Sequence, residues 1–144
     1  IEVAKLLNDD NSTLGLGDAG AHLTFFCQAG TGLYMLQRFV REREVLSLEN
    51  AVRLLTSQPA DAMRIADRGR IAVGKKADLC LFDPQTAGIG PRYWVADLPG
   101  GLERIHTEPF GVQGVWVNGR QVVDTDGLTA HASGAGHVLR EFAT

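Results

Sequence analysis

The hydrophobic pattern of this chain changes its period near Arg68. Before Arg68 apolar residues recur at helical spacing, which predicts a helix over residues 32–43, a second helix after the N-cap residue Ser47, and a short third helix that ends at Ile65. After Arg68 apolar residues alternate with polar ones, and glycines separate the runs. The sequence therefore predicts a first part over residues 1–67 and a β-rich domain over residues 68–144.

The β-rich part contains the clearest local signal, an Asn118-Gly119 pair between two apolar runs. This pair predicts a two-residue hairpin of type I′, because both central residues of that turn need a positive φ. A further strand is predicted over residues 77–83. Residues 85–111 show little periodicity and are predicted to form a long irregular connection, a kind of segment that often covers a functional site.

Composition excludes several classes of function. The formal net charge of -3 argues against a nucleic-acid partner, and no apolar run approaches the roughly 20 residues that span a bilayer. No signal-peptide pattern is visible near Ile1. Cys27 and Cys80 lie in apolar surroundings and are predicted to be buried free thiols, which suits a cytoplasmic protein.

The candidate for chemistry is the run GDAGAH at residues 17–22. Residues 13–17 predict a short buried strand, so Asp18 would lie just beyond the strand's carboxyl end, among small residues that let a ligand approach. Two simpler interpretations stay open. Asp18 could cap the next helix, and His22 could be a core or turn histidine.

Four segments together resemble one family. They are the GDAGAH run with the residues before it, the helix at residues 46–60, the run RGRIAVGKKADLCLFD at residues 68–83, and the hairpin VWVNGRQVV at residues 115–123. In this order they resemble the C-terminal portion of the amidohydrolase superfamily. The GDAGAH run and DLPGG at residues 97–101 resemble its D-aminoacylase (N-acyl-D-amino-acid deacylase) branch.

The resemblance implies an α/β fold: the last strand-helix unit of a TIM (β/α)8 barrel in residues 1–67, trailing helices, and part of a small β-sandwich domain. It also implies that Asp18 contacts a metal-bound water and acts as general base and then general acid in amide hydrolysis. His22 would line the substrate pocket. The family's metal is expected to be zinc. Gly17 stands where many relatives have serine.

The ligand set for that metal is incomplete in this sequence. Its histidines are His22, His106, His131 and His137, and no two of them form a His-X-His pair. A catalytic zinc site needs three protein ligands and an open position. Asp18 could therefore serve as a metal ligand only with residues from an upstream segment. We expect no tightly bound zinc and no hydrolysis from these 144 residues alone.

Three functions follow as hypotheses. The first is the C-terminal part of a metal-dependent hydrolase of N-acyl-D-amino acids or related linear amides. The alternatives are a cyclic-amide hydrolase of hydantoinase or dihydroorotase type, and a non-catalytic remnant that serves as a binding or assembly module. Since the sequence opens inside an apparent helix, we expect a piece of a longer protein. The strand near Leu14 and the helix face of Leu33, Leu36 and Val40 would then be uncovered, which predicts self-association or contact with an upstream segment.

Overall fold

Helices form the first half of the chain. The computed structural model describes residues 2–15 and 17–140. Within these ranges every helix is too short or too polar to span a bilayer. The predicted helices are confirmed as elements. They are α1 (Glu2–Leu7), α2 (Thr31–Met35) continued by a π-helix (Leu36–Glu42), α3 (Leu48–Leu55) and α4 (Ser57–Ala62).

The core lies between the π-helix, α3 and a residue from the second half of the chain. Its buried members are Met35, Leu36, Leu46, Ala51, Leu54 and Ala87. The predicted uncovered helix face is therefore wrong. Leu36 is 6% exposed, and Leu33 and Val40 pack against the same cluster. The face is covered because Ala87 and Phe82 fold back onto it.

Helices α3 and α4 begin and end for local reasons. The Ser47 hydroxyl accepts a hydrogen bond from the Asn50 N–H at 3.1 Å, which confirms the predicted cap. Helix α4 ends at Ala62, before the predicted Ile65. Arg64 has a positive φ of 56°, and the N–H groups of Arg64 and Ile65 donate to the carbonyls of Asp61 and Ala60. This double turn ends the helix.

The second half contains an antiparallel sheet of four strands, which are β1 (Leu79–Phe82), β6 (Val112–Val117), β7 (Arg120–Asp124) and β8 (Gly127–Leu128). They lie side by side in the order β1-β6-β7-β8. The predicted strand near residue 80 and the hairpin are confirmed, since Val117 pairs with Arg120. Asn118 and Gly119 have φ values of 50° and 80°, as a type I′ turn requires.

The predicted irregular connection at residues 85–111 is wrong. Most of it forms a long hairpin, here called the arm (residues 88–110), with two antiparallel ladders. Its elements are β2 (Gly88–Ile89), β3 (Tyr93–Val95), a 3₁₀ turn (Pro99–Gly101), β4 (Arg104–His106) and β5 (Pro109–Phe110). These strands have only two or three residues each, too few to leave an alternating pattern in the sequence.

Two further expectations need correction. Thr13, Leu14, Gly15 and Gly17 carry no strand pairing, and Leu16 lies outside the described residues. A parallel strand needs neighbours on its edges, and the described residues provide none there. Cys27 is buried as predicted, whereas Cys80 is exposed because it lies on β1 at the edge of the sheet. The division into domains at Arg68 stays a prediction.

An ion-pair network joins Arg68 to the sheet. Its guanidinium donates to the Asp78 carboxylate at 2.7 Å and to the Asn118 side-chain oxygen at 2.9 Å. The Asn118 N–H donates to the other Asp78 oxygen at 2.7 Å. Desolvation raises the pKa of Asp78, but the hydrogen bond from Asn118 and the Arg68 charge outweigh it and hold this pKa below its ordinary value.

Replacement of Gly119 by valine tests the turn. A Cβ at Gly119 would meet only the Ala77 Cβ at 3.9 Å, so the cost comes from the positive φ. We expect Gly119→Val to lower the free energy of unfolding by about 1–2 kcal/mol in urea denaturation. Gly136→Val is the control, since nothing lies within 4 Å of its Cβ position. Equal stability of both variants would contradict the turn assignment.

The lowered pKa of Asp78 predicts a pH dependence of stability. Because the folded-state pKa lies below the unfolded one, the ionised carboxylate stabilises the fold above pH 3.8, and this contribution is lost as the pH falls through the folded-state value. Asp78→Asn should lower stability at pH 7 and flatten its decline on acidification, measured by urea denaturation. Asp61→Asn removes the exposed pair with Arg70 and should change stability less. Equal effects would contradict the network's role.

Candidate functional site

Residues 17–23 form a loop, here called the Asp18 loop, that precedes α2. The Asp18 N–H donates to the side-chain oxygen of Gln28 at 2.9 Å, and the Asp18 carbonyl accepts from the Ala21 N–H at 2.9 Å. Gly20 has a φ of 88°, which an L side chain rarely adopts. These contacts fix the backbone on both sides of the Asp18 side chain.

The Asp18 carboxylate is open. Asp18 is exposed, and within residues 2–15 and 17–140 no hydrogen bond reaches its side-chain oxygens. It caps no helix in these ranges, because α2 begins at Thr31 with Gly30 as its N-cap. The capping interpretation is therefore excluded for the described chain. An exposed carboxylate on a fixed turn is able to exchange protons with a bound molecule.

His22 closes the tight part of the loop. Its φ is 51°, and its carbonyl accepts from the N–H groups of Phe25 and Phe26 at 3.0 and 3.2 Å. Its ring centroid lies 4.9 Å from that of Phe25 and 5.5 Å from that of Phe26. His22 is exposed, so the structure gives a turn histidine in an aromatic cluster rather than a core histidine.

The arm contacts the other end of the Asp18 loop. The Ile105 N–H on β4 donates to the Leu23 carbonyl at 2.9 Å. Arg104 beside it binds both oxygens of Asp97 at 2.7 Å, and this hydrogen-bonded pair holds the pKa of Asp97 below its ordinary value. The pair links β4 to the segment that follows β3, near the tip of the arm. Strand β4, which the Arg104–Asp97 pair holds in place, therefore contacts the Asp18 loop through its backbone.

The base of the arm rests on the π-helix. The Gln37 side-chain oxygen accepts from the Ile89 N–H at 3.0 Å, and Arg41 donates to the Ala87 carbonyl at 2.7 Å. A cleft of about 440 Å³ opens beside this contact, between Tyr34 and Arg38 on the helix side and Arg92 on the arm. Asp18 is not among its lining residues.

Sequence patterns indicated Asp18 and His22, but not the residues that hold them. Gln28 and Ile105 act through single hydrogen bonds across ten and 82 positions. A single hydrogen bond between distant residues leaves no periodic pattern in the sequence. The DLPGG run at residues 97–101, which entered the family resemblance, lies at the arm's tip.

The residues present do not fit a metal centre by themselves. Within the described ranges, no group of three or more histidine, cysteine, aspartate or glutamate side chains could hold a metal ion. Three protein ligands are the minimum of a catalytic zinc site, so ligands for Asp18's site would have to come from other residues.

The chain resembles amidohydrolases in both sequence and structure. The model of the amidohydrolase family matches residues 1–123, a range that includes the Asp18 loop and most of the sheet. A solved structure of a D-aminoacylase mutant in complex with copper chloride resembles the chain with a TM-score of 0.56 and 29% identity. The similarity covers 78% of this chain and 21% of that one.

The curated relatives include deacylases and dihydroorotases. An N-acyl-D-aspartate deacylase of Alcaligenes xylosoxydans xylosoxydans is 36% identical over 74% of this chain and 20% of its own. An N-acyl-D-glutamate deacylase of the same organism is 49% identical over 40% of this chain and 12% of its own. A dihydroorotase of Lactobacillus johnsonii is 44% identical over 32% of this chain and 11% of its own. The chain thus spans at most about a fifth of the length of these relatives.

The incomplete ligand set predicts the metal content of the chain. Purified residues 1–144, dialysed after exposure to zinc, should retain well below one equivalent of zinc by atomic emission spectroscopy, because one exposed carboxylate binds zinc weakly. Asp18→Asn should leave this content unchanged. Stoichiometric zinc that is lost in Asp18→Asn would show that the chain assembles a centre of its own.

Proposed function

Because this chain belongs to the amidohydrolase family, we propose that it is part of an enzyme that hydrolyses the amide bond of N-acyl-D-amino acids. We propose Asp18 as the residue that moves the proton in this reaction. The observation that carries the proposal is the position of the GDAGAH run inside the family match, with the Asp18 carboxylate exposed on a fixed turn. The resemblance to the D-aminoacylase branch is confirmed by the relatives and the solved structure.

The proposed chemistry needs one group that both accepts and donates a proton. Water attacks the carbonyl carbon of the amide, and its proton passes to the Asp18 carboxylate. When the carbon–nitrogen bond breaks, the same proton passes to the amine that leaves. A carboxylate suits both steps because it returns to its starting state after each turnover. The small side chains of Ala19 and Ala21 leave room for the amide to approach Asp18, and His22 is the proposed substrate contact at the loop's far side.

The proposal extends to the rest of the protein. The amidohydrolase family is metal-dependent, and we propose zinc, held by Asp18 together with ligands from an upstream segment. We also propose that residues 1–67 contribute the last strand-helix unit of a (β/α)8 barrel and that the sheet belongs to a small β-sandwich. Leu79 and Leu81 on the edge strand β1 are 36% and 50% exposed, which favours an upstream segment or a second copy as the covering partner. A cytoplasmic location stays a prediction.

A second candidate function rests on the dihydroorotase relatives. A second dihydroorotase relative is 38% identical over 48% of this chain, a smaller share than the 74% and 79% that the N-acyl-D-aspartate deacylase and a D-aminoacylase match. A cyclic-amide hydrolase would use Asp18 in the same proton transfers, so the two candidates differ in substrate shape. The third hypothesis, a non-catalytic binding or assembly module, predicts no turnover at all.

Substitution of Asp18 tests the proposal in the complete protein that contains this chain. Asp18→Asn keeps the shape of the side chain but removes its proton-accepting charge. We expect kcat on N-acetyl-D-aspartate or N-acetyl-D-glutamate to fall by about 10²–10⁴-fold, measured as amine release. Asp10→Asn, in the exposed turn after α1, is the matched control and should keep wild-type turnover.

The substrate panel separates the candidates. It contains the D-amino acid derivatives, their L-enantiomers and dihydroorotate. Turnover of the D-derivatives that is lost in Asp18→Asn supports the proposal. Turnover of dihydroorotate alone supports the cyclic-amide alternative. A folded protein, loaded with zinc, that turns over none of these substrates would contradict both enzyme hypotheses.

A further inference from the structure

Gln28 contacts the backbone of the proposed proton-transfer residue. Its side-chain oxygen accepts the hydrogen bond from the Asp18 N–H at 2.9 Å, across ten positions of sequence. We propose that Gln28 is a positioning residue that holds the Asp18 carboxylate in its working orientation. This inference rests on the proposed function of Asp18, but the bond itself is a property of this chain.

Asp18 needs such a restraint because its neighbours are small. Gly17, Ala19 and Gly20 bury no side chain against the rest of the protein, and Gly20 is free to adopt many backbone conformations. Packing therefore does not fix the turn. A displacement of about 1 Å at a catalytic group costs up to about 10²-fold in rate, so a single well-placed acceptor matters here.

The backbone of Gln28 is anchored, whereas its side chain is exposed. The preceding residue, Cys27, is 7% exposed, and the Gln28 carbonyl accepts from the Thr31 hydroxyl at 2.8 Å at the start of α2. A Cβ built on Gly17 would lie 3.7 Å from the Gln28 side-chain oxygen and 3.4 Å from the Thr31 hydroxyl oxygen. The start of the Asp18 loop thus lies against a fixed helix terminus, and Gln28 is the side chain that spans the gap.

The opposite end of the loop is held by backbone alone. There the Leu23 carbonyl accepts from the Ile105 N–H of the arm at 2.9 Å. Each hydrogen bond restrains a different part of the Asp18 loop. The bond from the arm restrains the end of the loop at Leu23, and the bond to Gln28 restrains Asp18 itself. Of the two, Gln28 is the one that a side-chain substitution removes cleanly.

Two variants of Gln28 separate positioning from simple structural support. Gln28→Met keeps the length of the side chain and removes the acceptor, whereas Gln28→Glu keeps an acceptor oxygen. In the complete protein we expect Gln28→Met to lower kcat about tenfold with KM within about twofold of wild type, because Gln28 acts on Asp18 and not on the substrate. Gln28→Glu should restore kcat to within about threefold of wild type.

The matched control makes the same substitution at another glutamine. Gln121 on β7 donates its side-chain amide to the Val123 carbonyl at 3.3 Å, away from the Asp18 loop. Gln121→Met should leave kcat and KM unchanged. If Gln28→Met keeps wild-type kcat, or if Gln28→Glu is as slow as Gln28→Met, the positioning role is overturned.

A second measurement does not depend on activity. Hydrogen exchange followed by NMR should show that the Asp18 amide exchanges about tenfold faster in Gln28→Met, while the Ile105 amide and the amides of the sheet keep their rates. Gln28→Glu should keep the wild-type rate. Unchanged exchange at Asp18 overturns the inference. If exchange responds as expected but Asp18→Asn keeps full turnover, the proposed function of Asp18 fails while the contact from Gln28 stands.

Discussion

The contact on which the other arrangements depend is the burial of Ala87 against the first half of the chain. Ala87 is fully buried among Leu36, Leu54 and the other core residues. Its carbonyl accepts from Arg41, and the next strand is held by Gln37 through the Ile89 N–H. Burial of a backbone segment is stable only when its polar groups are paired, and these two side chains of the π-helix pair them. The helices and the β-rich part therefore share one core.

This junction sets the direction of the arm, and the arm determines how the Asp18 loop is held. From Ile89 the chain runs out along β3 and returns along β4, where Ile105 meets Leu23. The Arg104–Asp97 pair braces the arm beyond that contact. A loop of glycines and alanines thus obtains a defined shape from two neighbours, Gln28 and Ile105, although it has little packing of its own.

In the proposed function, the Asp18 loop is one part of a chemical centre. It supplies an exposed carboxylate on a fixed turn, with an aromatic cluster around His22 beside it. The described residues supply no cluster of metal ligands. The chain also spans at most about a fifth of the length of its deacylase and aminoacylase relatives. A proton-transfer group in this chain and metal ligands from elsewhere are the division of roles that the proposed function requires.

The sequence by itself determined the features that depend on neighbours along the chain. The Ser47 cap, the helical faces, and the Asn118-Gly119 turn follow from local spacing and allowed φ values, and the GDAGAH run marked Asp18. Tertiary structure decided what depends on partners distant in sequence. Residues 88–110 became an arm because its short ladders are held by the Gln37–Ile89 hydrogen bond and the Arg104–Asp97 pair, and not by an alternating pattern of their own. Residues 13–15 and 17 have no strand pairing because a parallel strand exists only beside its neighbours. Gln28 and Ile105 acquire their roles in the same way, since one hydrogen bond between distant residues leaves no trace in composition or period.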